Sequence, residues 1–574
     1  MKRNTPFKLT GIIALLILAE TAAWAVDTLP GSVLPEQVSK SLSKRPQTTS
    51  GEVLPPVVSP APADNSVLGE QAKKIKFKLN GVVLSGNHVY TSKDLAPLYK
   101  DKIGKTISVA DLFSVVQALT NYYRNNGYII SRAVLPPQHV KDGVVNIQIV
   151  EGYIDKVEIS GHPKGAKCIV KAYGDEIRRC PPLDIKRMER YLLIANELPS
   201  TQVKAVLSPS KSQTGAADLI LMTENTPVTG YVSYDNYGTR YIGPQQMTAN
   251  VGFNSFLSSG DSTQFTMTKT PKGGELTYND INYSMPIDPY GTKWSVGSTR
   301  AHTHPLFVLQ PTQTDGLNNN YYTSFSFPVI RSRTQSLTVT TGFNFLDSEV
   351  TQLDQELYTD HVRSFDIGTS YNFADRWYGA NLLGANFRQG LPILGYSSNY
   401  NPQTALTSRP GGRGDYTKFS IGATRLQAIT GPFSAYLVFR GQWAFNPLLA
   451  SEQFSFGGSQ LGRGYDVAEL IGDRGIASSI ELRYDRNIQK FWIQTLEPYV
   501  FYDGGAIWNY KQIGGTPTKQ TGLSTGIGLR FYATKYISGN MMWTQPITKQ
   551  VAAEQIIGQG KRPRLFFSLV ANFA

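Results

Sequence analysis

An arginine between two glycines, Gly462-Arg463-Gly464, is followed by Tyr465 and Asp466. The glycines let the backbone turn tightly around a guanidinium. Forty positions after Arg463 stands Asp503, within Phe501-Tyr502-Asp503-Gly504-Gly505. A guanidinium and a carboxylate can pair through two parallel hydrogen bonds, which fixes orientation as well as attraction. At about 4 Å and an effective dielectric near 20, the gross attraction is about 4 kcal/mol before desolvation. That is enough to bias a loop between two positions without locking it, with Tyr465 packing beside the pair. The competing reading is two unrelated polar spots on a loop and a strand.

Other motifs carry less. Gly104-Lys105-Thr106 has Tyr99 where a phosphate-binding loop needs its first glycine. Arg413-Gly414-Asp415 reads as a loop entering a strand. There is no Gly-x-Ser-x-Gly, His-Glu-x-x-His or cysteine nucleophile. The six histidines are dispersed, and His302 with His304 reads as a wet strand end. No enzyme, metal or cofactor is expected.

The elements that must bring Arg463 to Asp503 alternate with period two from Pro227 onward. Leu337, Val339, Thr341, Phe343 and Phe345 share one face, and Leu523, Thr525, Ile527, Leu529 and Phe531 another. A soluble sandwich alternates too. Here short turns (373–376, 429–432) interleave with long polar connections at about 303–320, 348–361, 390–414, 447–474 and 546–562, the habit of a transmembrane barrel. Beyond the N-terminus no run reaches the roughly 18 apolar residues of a spanning helix, so a membrane part must be a closed sheet. We read about sixteen strands in residues 226–574, with both ends on one side. Tyr499, Phe501 and Asp503 share a face. A carboxylate facing lipid is expensive, so that face is the lumen.

Upstream, residues 1–25 read as a secretory signal: Lys2, Arg3 and Lys8, an apolar run over 11–19, then Ala23-Trp24-Ala25. Residues 26–45 become helix-compatible, and 46–72 form a linker rich in Pro, Ser, Thr and Gly. Residues 73–151 read β-α-α-β-β, with strands at 76–84, 128–135 and 144–150. Thr91 with Asp94, and Ser108 with Asp111, open its helices. Leu112, Val115, Leu119 and Tyr123 share the inner face of the second. Residues 152–225 repeat the plan. Cys168 and Cys180 are the only cysteines, close together in an exported segment, so a disulfide is expected, worth up to about 3 kcal/mol. The net charge of +13 comes from scattered Lys and Arg rather than one basic stripe, which argues against nucleic acid. The 31 Tyr, 26 Phe and 52 Gly suit aromatic girdles and tight turns.

Taken together, Arg463-Gly464-Tyr465 and Phe501, Asp503 and Gly505 resemble the loop-tip and wall motifs of the outer-membrane transporters of two-partner secretion, the ShlB/FhaC/HecB-like family within the BamA-like superfamily. Leu84-Ser85-Gly86-Asn87, Tyr123 to Tyr128 and Glu151-Gly152 resemble signature positions of its POTRA domains. The resemblance implies an α+β fold of two periplasmic POTRA domains, 73–151 and 152–225, followed by an antiparallel barrel whose loop 447–474 folds inward. It implies that 26–45 supplies a pore-plugging helix. It implies export of one large haemolysin- or filamentous-adhesin-like exoprotein across a Gram-negative outer membrane, the client binding through the POTRA domains. Outer-membrane lipid or lipopolysaccharide and the barrel-assembly machinery are its other implied partners. In that family an apolar residue usually precedes the arginine, where this chain has Gly462, and Phe573 is penultimate rather than last. An insertase of the BamA class and a passive porin remain the alternative readings.

Overall fold

The structure, a computed structural model, describes residues 29–43, 69–213, 215–398, 406–490, 493–510, 518–534 and 536–573. The expected signal segment, and residues 46–68 of the linker expected over 46–72, lie outside the described residues, while residues 69–72 of that linker instead begin helix Gly69–Lys74.

Sixteen antiparallel strands close into a barrel, each paired with its sequence neighbours, and the last, Arg564–Phe573, pairs with the first, Val228–Asp235. One crossing is interrupted into Arg474–Tyr484 and Arg486–Lys490. The alternation sorts side chains as amphipathic strands must. Ile480, Leu482, Val500, Tyr502, Ile527 and Trp543 point outward, while Ser479, Glu481, Phe501 and Asp503 are buried inside.

The expected outer loop at 348–361 is not a loop. Gln335–Gln352 and Gln355–Ala374 continue their ladder through it and reverse at Leu353-Asp354, both with positive φ. Two central residues at positive φ make the turn that matches strand twist. The polar composition there reflects a wet outer face. The inner face, with Val350 and Tyr358, packs on Leu34 and Ala450. Likewise the expected loop 303–320 ends early, because strand Asp315–Arg331 begins within it.

The first small domain carries the sheet Gly81–Ser85, Val144–Val150, Arg132–Val134, with a parallel first pair. Both expected capping boxes form, Thr91 with Asp94 and Ser108 with Asp111. Helix Val109–Asn125 buries Leu112, Val115, Leu119 and Tyr123 against that sheet. The expected strand 76–84 is split into Lys76–Lys78 and Gly81–Ser85, with Leu79 buried between them. Of 128–135 only Arg132–Val134 is strand, because the Ser131 amide turns back to the Tyr128 carbonyl.

The second domain has strands Tyr153–His162, Ala216–Asn225 and Thr201–Pro209 under helices Lys167–Arg178 and Ile185–Asn196. Here the expected disulfide is corrected. Cys168 and Cys180 are free and exposed. Cys168 lies in the first turn of helix Lys167–Arg178 and Cys180 two residues beyond its end, and the helix between them rises about 15 Å. A disulfide needs Cα atoms within about 7 Å. Closeness in sequence misled because a helix intervenes.

The second domain docks on the barrel rim. Arg190 donates to the Pro328 carbonyl at 2.7 Å and that of Val329 at 3.1 Å, and the Ile169 amide to Ser259 Oγ at 3.1 Å. Glu197 pairs with Arg331 on the same rim.

The inward loop and its anchors in the barrel lumen

After strand Phe433–Ala444 the chain makes a short turn of helix, Ala450–Glu452, and then a small ladder of Phe454–Phe456 with Leu470–Gly472. The loop tip lies between those two short strands. Gly462 has φ +74°, and a Cβ there would stand 2.8 Å from the Phe456 ring. The aromatic neighbour and the left-handed backbone together require glycine here. At Gly464 a Cβ would meet Ser524 Cβ at 2.8 Å and Pro546 N at 3.0 Å, so the tip lies backbone-first against the wall.

That approach delivers Arg463 to Asp503. The Arg463 amide and Nε donate to Asp503 Oδ2 at 2.9 and 3.0 Å, and Nη2 donates to Oδ1 at 2.8 Å. Nη1 reaches Glu481 Oε2 at 2.6 Å and Nη2 reaches Ser479 Oγ at 2.9 Å. The guanidinium also stacks on Phe501, 3.5 Å from the ring centroid. The Arg463, Glu481 and Asp503 side chains are 5%, 2% and 0% exposed. Arg483 Nε and Arg530 Nη1 each meet Glu481 Oε1 at 2.7 Å, and Glu497 pairs with Arg530. Three arginines thus balance three carboxylates, which makes burial tolerable.

The motif residues divide the work. Phe501 supplies the ring under the guanidinium, and Asp503 the anchor. Gly505 makes room: a Cβ there would lie 2.4 Å from Phe456 Cδ2. Tyr465 is buried with Phe456, Leu470, Ile507 and Val551, and its hydroxyl donates to the Leu523 carbonyl at 2.8 Å. Sequence reasoning missed Glu481, Ser479, Arg530 and Phe456. Charged residues on inward-facing strand positions were the available signal for Glu481 and Arg530. Phe456 had none. It missed also the root of the tip, where Arg564 on the last strand donates to Asp466 Oδ1 at 2.7 Å.

A second segment shares the lumen. Helix Pro35–Ser43 begins with proline and carries Glu36 in its first turn, both favourable at a helix N-terminus. It lies inside the barrel. Glu36 accepts from Ser348 Oγ at 2.8 Å and the Tyr358 hydroxyl at 3.1 Å. Val33, Val38 and Leu42 pack on Tyr241, Ile242, Leu276 and Tyr278. Gln37 Nε2 and Lys40 Nζ donate to the Ala450 and Gln453 carbonyls at 2.5 and 2.8 Å, so the helix is bonded to the inward loop itself.

In the first small domain two of the signature stretches, through Tyr123 and Glu151, meet the residues that directly follow the third at one carboxylate. Glu151 Oε1 accepts from the His88 and Val89 amides, each at 2.8 Å, and from the Tyr123 hydroxyl at 2.9 Å. Gly86 has φ +76°, and a Cβ there would lie 2.4 Å from the Ile149 carbonyl oxygen.

Residues 217–531 match the family model described as haemolysin secretion/activation protein ShlB/FhaC/HecB, and residues 77–152 match the POTRA domain, ShlB-type. The chain belongs to the ShlB/FhaC/HecB family. Relatives of this family member include the heme/hemopexin transporter protein HuxB of Haemophilus influenzae (strain 86-028NP). That protein is 23% identical over 85% of this chain and 87% of its own length. The outer membrane transporter CdiB of Dickeya dadantii (strain 3937) is 23% identical over 86% of each chain. Among solved structures, CdiB from Escherichia coli superposes with a TM-score of 0.69 at 19% identity, covering 98% of both chains. BamA from Haemophilus ducreyi lacking POTRA domains 1-3 superposes with a TM-score of 0.50 at 13% identity, covering 87% of this chain and 99% of that one. These two likenesses show the shared fold. As a ShlB/FhaC/HecB protein the chain is an outer-membrane transporter of two-partner secretion, with POTRA domains in the periplasm and a secreted exoprotein as partner. The family is one of secretion channels rather than of known enzymes.

Proposed function

We propose that the exoprotein, a haemolysin- or filamentous-adhesin-like client, crosses through the lumen that helix Pro35–Ser43 and the inward loop occupy at rest. The client adds as an extended strand to a POTRA sheet edge, where backbone hydrogen bonds give affinity with little demand on sequence. Its arrival displaces the helix, and the Arg463–Asp503 contact holds or returns the loop tip. No nucleotide-binding motif is present in the sequence, so client folding outside supplies direction. The barrel reaches the membrane through the barrel-assembly machinery, with Arg564–Phe573 as its insertion signal. Its apolar belt meets outer-membrane lipid and lipopolysaccharide.

The observation that carries this reading is the pair of bonds from Gln37 and Lys40 to the inward loop. Two segments that fill the same passage hold one another through polar contacts that can exchange. The test is a tether. In a background carrying Cys168→Ser and Cys180→Ser, cysteines placed at Gln37 and Ala450 and bridged by a bis-maleimide should stop secretion of the cognate exoprotein while leaving the barrel inserted. Unchanged secretion through the bridged protein would refute the lumen route. Loss of many outer-membrane proteins on depletion, rather than of one exoprotein, would favour an insertase instead.

A further inference from the structure

The lumen holds a cavity of about 850 Å³ between the helix, the inward loop and the wall. Strand register arranges one side of it. Asn250, Thr266, Asp280, Thr299 and Asn320 are successive cross-strand partners, and all five line the cavity. Two residues further along the strands runs a second row, Gln264, Asn282, Tyr322 and Asn344, interrupted only by Gly297. A Cβ on Gly297 would lie 2.5 Å from the Tyr322 hydroxyl oxygen, so glycine lets that ring lie flat and take a bond from Asn282 Nδ2 at 2.9 Å.

Two features of this wall are unusual for a charged lumen. Amides and hydroxyls dominate, groups that both donate and accept and so match a peptide unit in any orientation. Their two rows are about 6.7 Å apart, the i to i+2 repeat of an extended chain. Asp280 is the exception in chemistry. It has no hydrogen bond or ion pair among the described residues, whereas the carboxylates elsewhere in the lumen are matched, Glu452 with Lys418 and Asp366 with Arg388. The plug helix, itself chain lodged in the lumen, faces this cavity with Ser39, Lys40, Ser41 and Ser43.

We infer that these two rows form a binding track for an extended polypeptide, and that Asp280 makes it prefer segments bearing lysine or arginine over acidic ones. The amides bond the client backbone reversibly, so no single register is held. Within the two rows Asp280 is the one charged member, and it adds a charge-selective contact. This assignment rests on the lumen route proposed above.

The test uses the full chain in zwitterionic nanodiscs. It is titrated with a fluorescent unstructured Gly-Ser-Asn peptide that carries either lysines or glutamates at the same positions. The lysine peptide should bind about fivefold more tightly than its glutamate counterpart, the scale of one partly screened ion pair. Asp280→Asn, which keeps side-chain size, should remove that preference. Asn282→Leu should weaken both peptides alike, with heat-modifiable migration confirming an intact barrel. Equal affinity for the two peptides, no binding of either, or a preference that survives Asp280→Asn would overturn the track. The tether separates the two levels. If it blocks secretion while Asp280→Asn changes nothing, the lumen route stands and the track falls. If it leaves secretion intact, the route itself falls.

Discussion

Asp503 accepts three hydrogen bonds from Arg463, one from its backbone amide and two from its guanidinium. The backbone bond matters as much as the ion pair, because it fixes where the tip's main chain lies as well as where its side chain points. Removing one partner of a buried pair costs about 3–5 kcal/mol, since the other charge is left unmatched. Arg463→Ala leaves Asp503 without its cation, whereas Glu481 keeps Arg483 and Arg530. Secretion should fall sharply with heat-modifiable barrel retained. Arg463→Lys keeps the charge without the planar fork and should rescue only in part. Normal secretion from both Arg463→Ala and Asp503→Ala would exclude a role for the contact.

Gly505 predicts a steric effect with no change of charge. Gly505→Val drives a side chain into Phe456, and overpacking of this kind costs about 1–3 kcal/mol. The expected result is a dislodged tip, read as faster proteolysis within 457–469 in intact cells. A cleavage rate equal to that of the parent would show that the ring does not hold the loop.

Glu36 predicts how the lumenal helix Pro35–Ser43 is seated. Its carboxylate is buried on two hydroxyls, from Ser348 and Tyr358. Glu36→Ala removes both bonds and should raise open-channel events in planar bilayers. Tyr358→Phe removes one and should raise them less. Identical recordings for parent and Glu36→Ala would mean that the helix is seated by its apolar side alone.

In the periplasmic portion, bonds from the Ser108 backbone and side chain hold the Asp111 carboxyl below its ordinary range. A depressed folded value means that the contribution is present above the usual carboxylate range and is lost as pH falls through the folded value. Amide exchange at the start of helix Val109–Asn125 should therefore quicken on acidification, after correction for intrinsic rates. Asp111→Asn should already be fast near neutrality and flatten that dependence. An unaltered pH profile in the variant would assign the effect to another group.

The free thiols give a chemical prediction. Cys168 and Cys180 should both react with maleimide without prior reduction, and electrophoretic mobility should be the same with and without reductant. A single protected pair would contradict the helical separation of the two residues.

The residues of this chain determine a great deal alone. Period two in 226–574, with uneven connections, dictates an even-stranded barrel, because only a closed sheet satisfies its backbone in lipid. Thr91–Asp94 and Ser108–Asp111 mark helix starts because a cap is a local bond. Arg463 and Asp503 stand out as a pair because their chemistry is complementary and each sits in a short glycine-rich motif, Gly462-Arg463-Gly464 and Asp503-Gly504-Gly505. What only the tertiary structure decided depends on distant neighbours. Polar residues at 348–361 look the same in a loop and on a wet strand face, so strand length was invisible. Gly462, Gly464 and Gly505 owe their identity to Phe456 and Ser524, which touch them only after the loop folds inward. The two cysteines are near in sequence and far apart in space, because a helix turns twelve residues into distance. Asp280 joins its row of amides and hydroxyls only through the register of five strands, and register is a property of the closed sheet, not of any one segment.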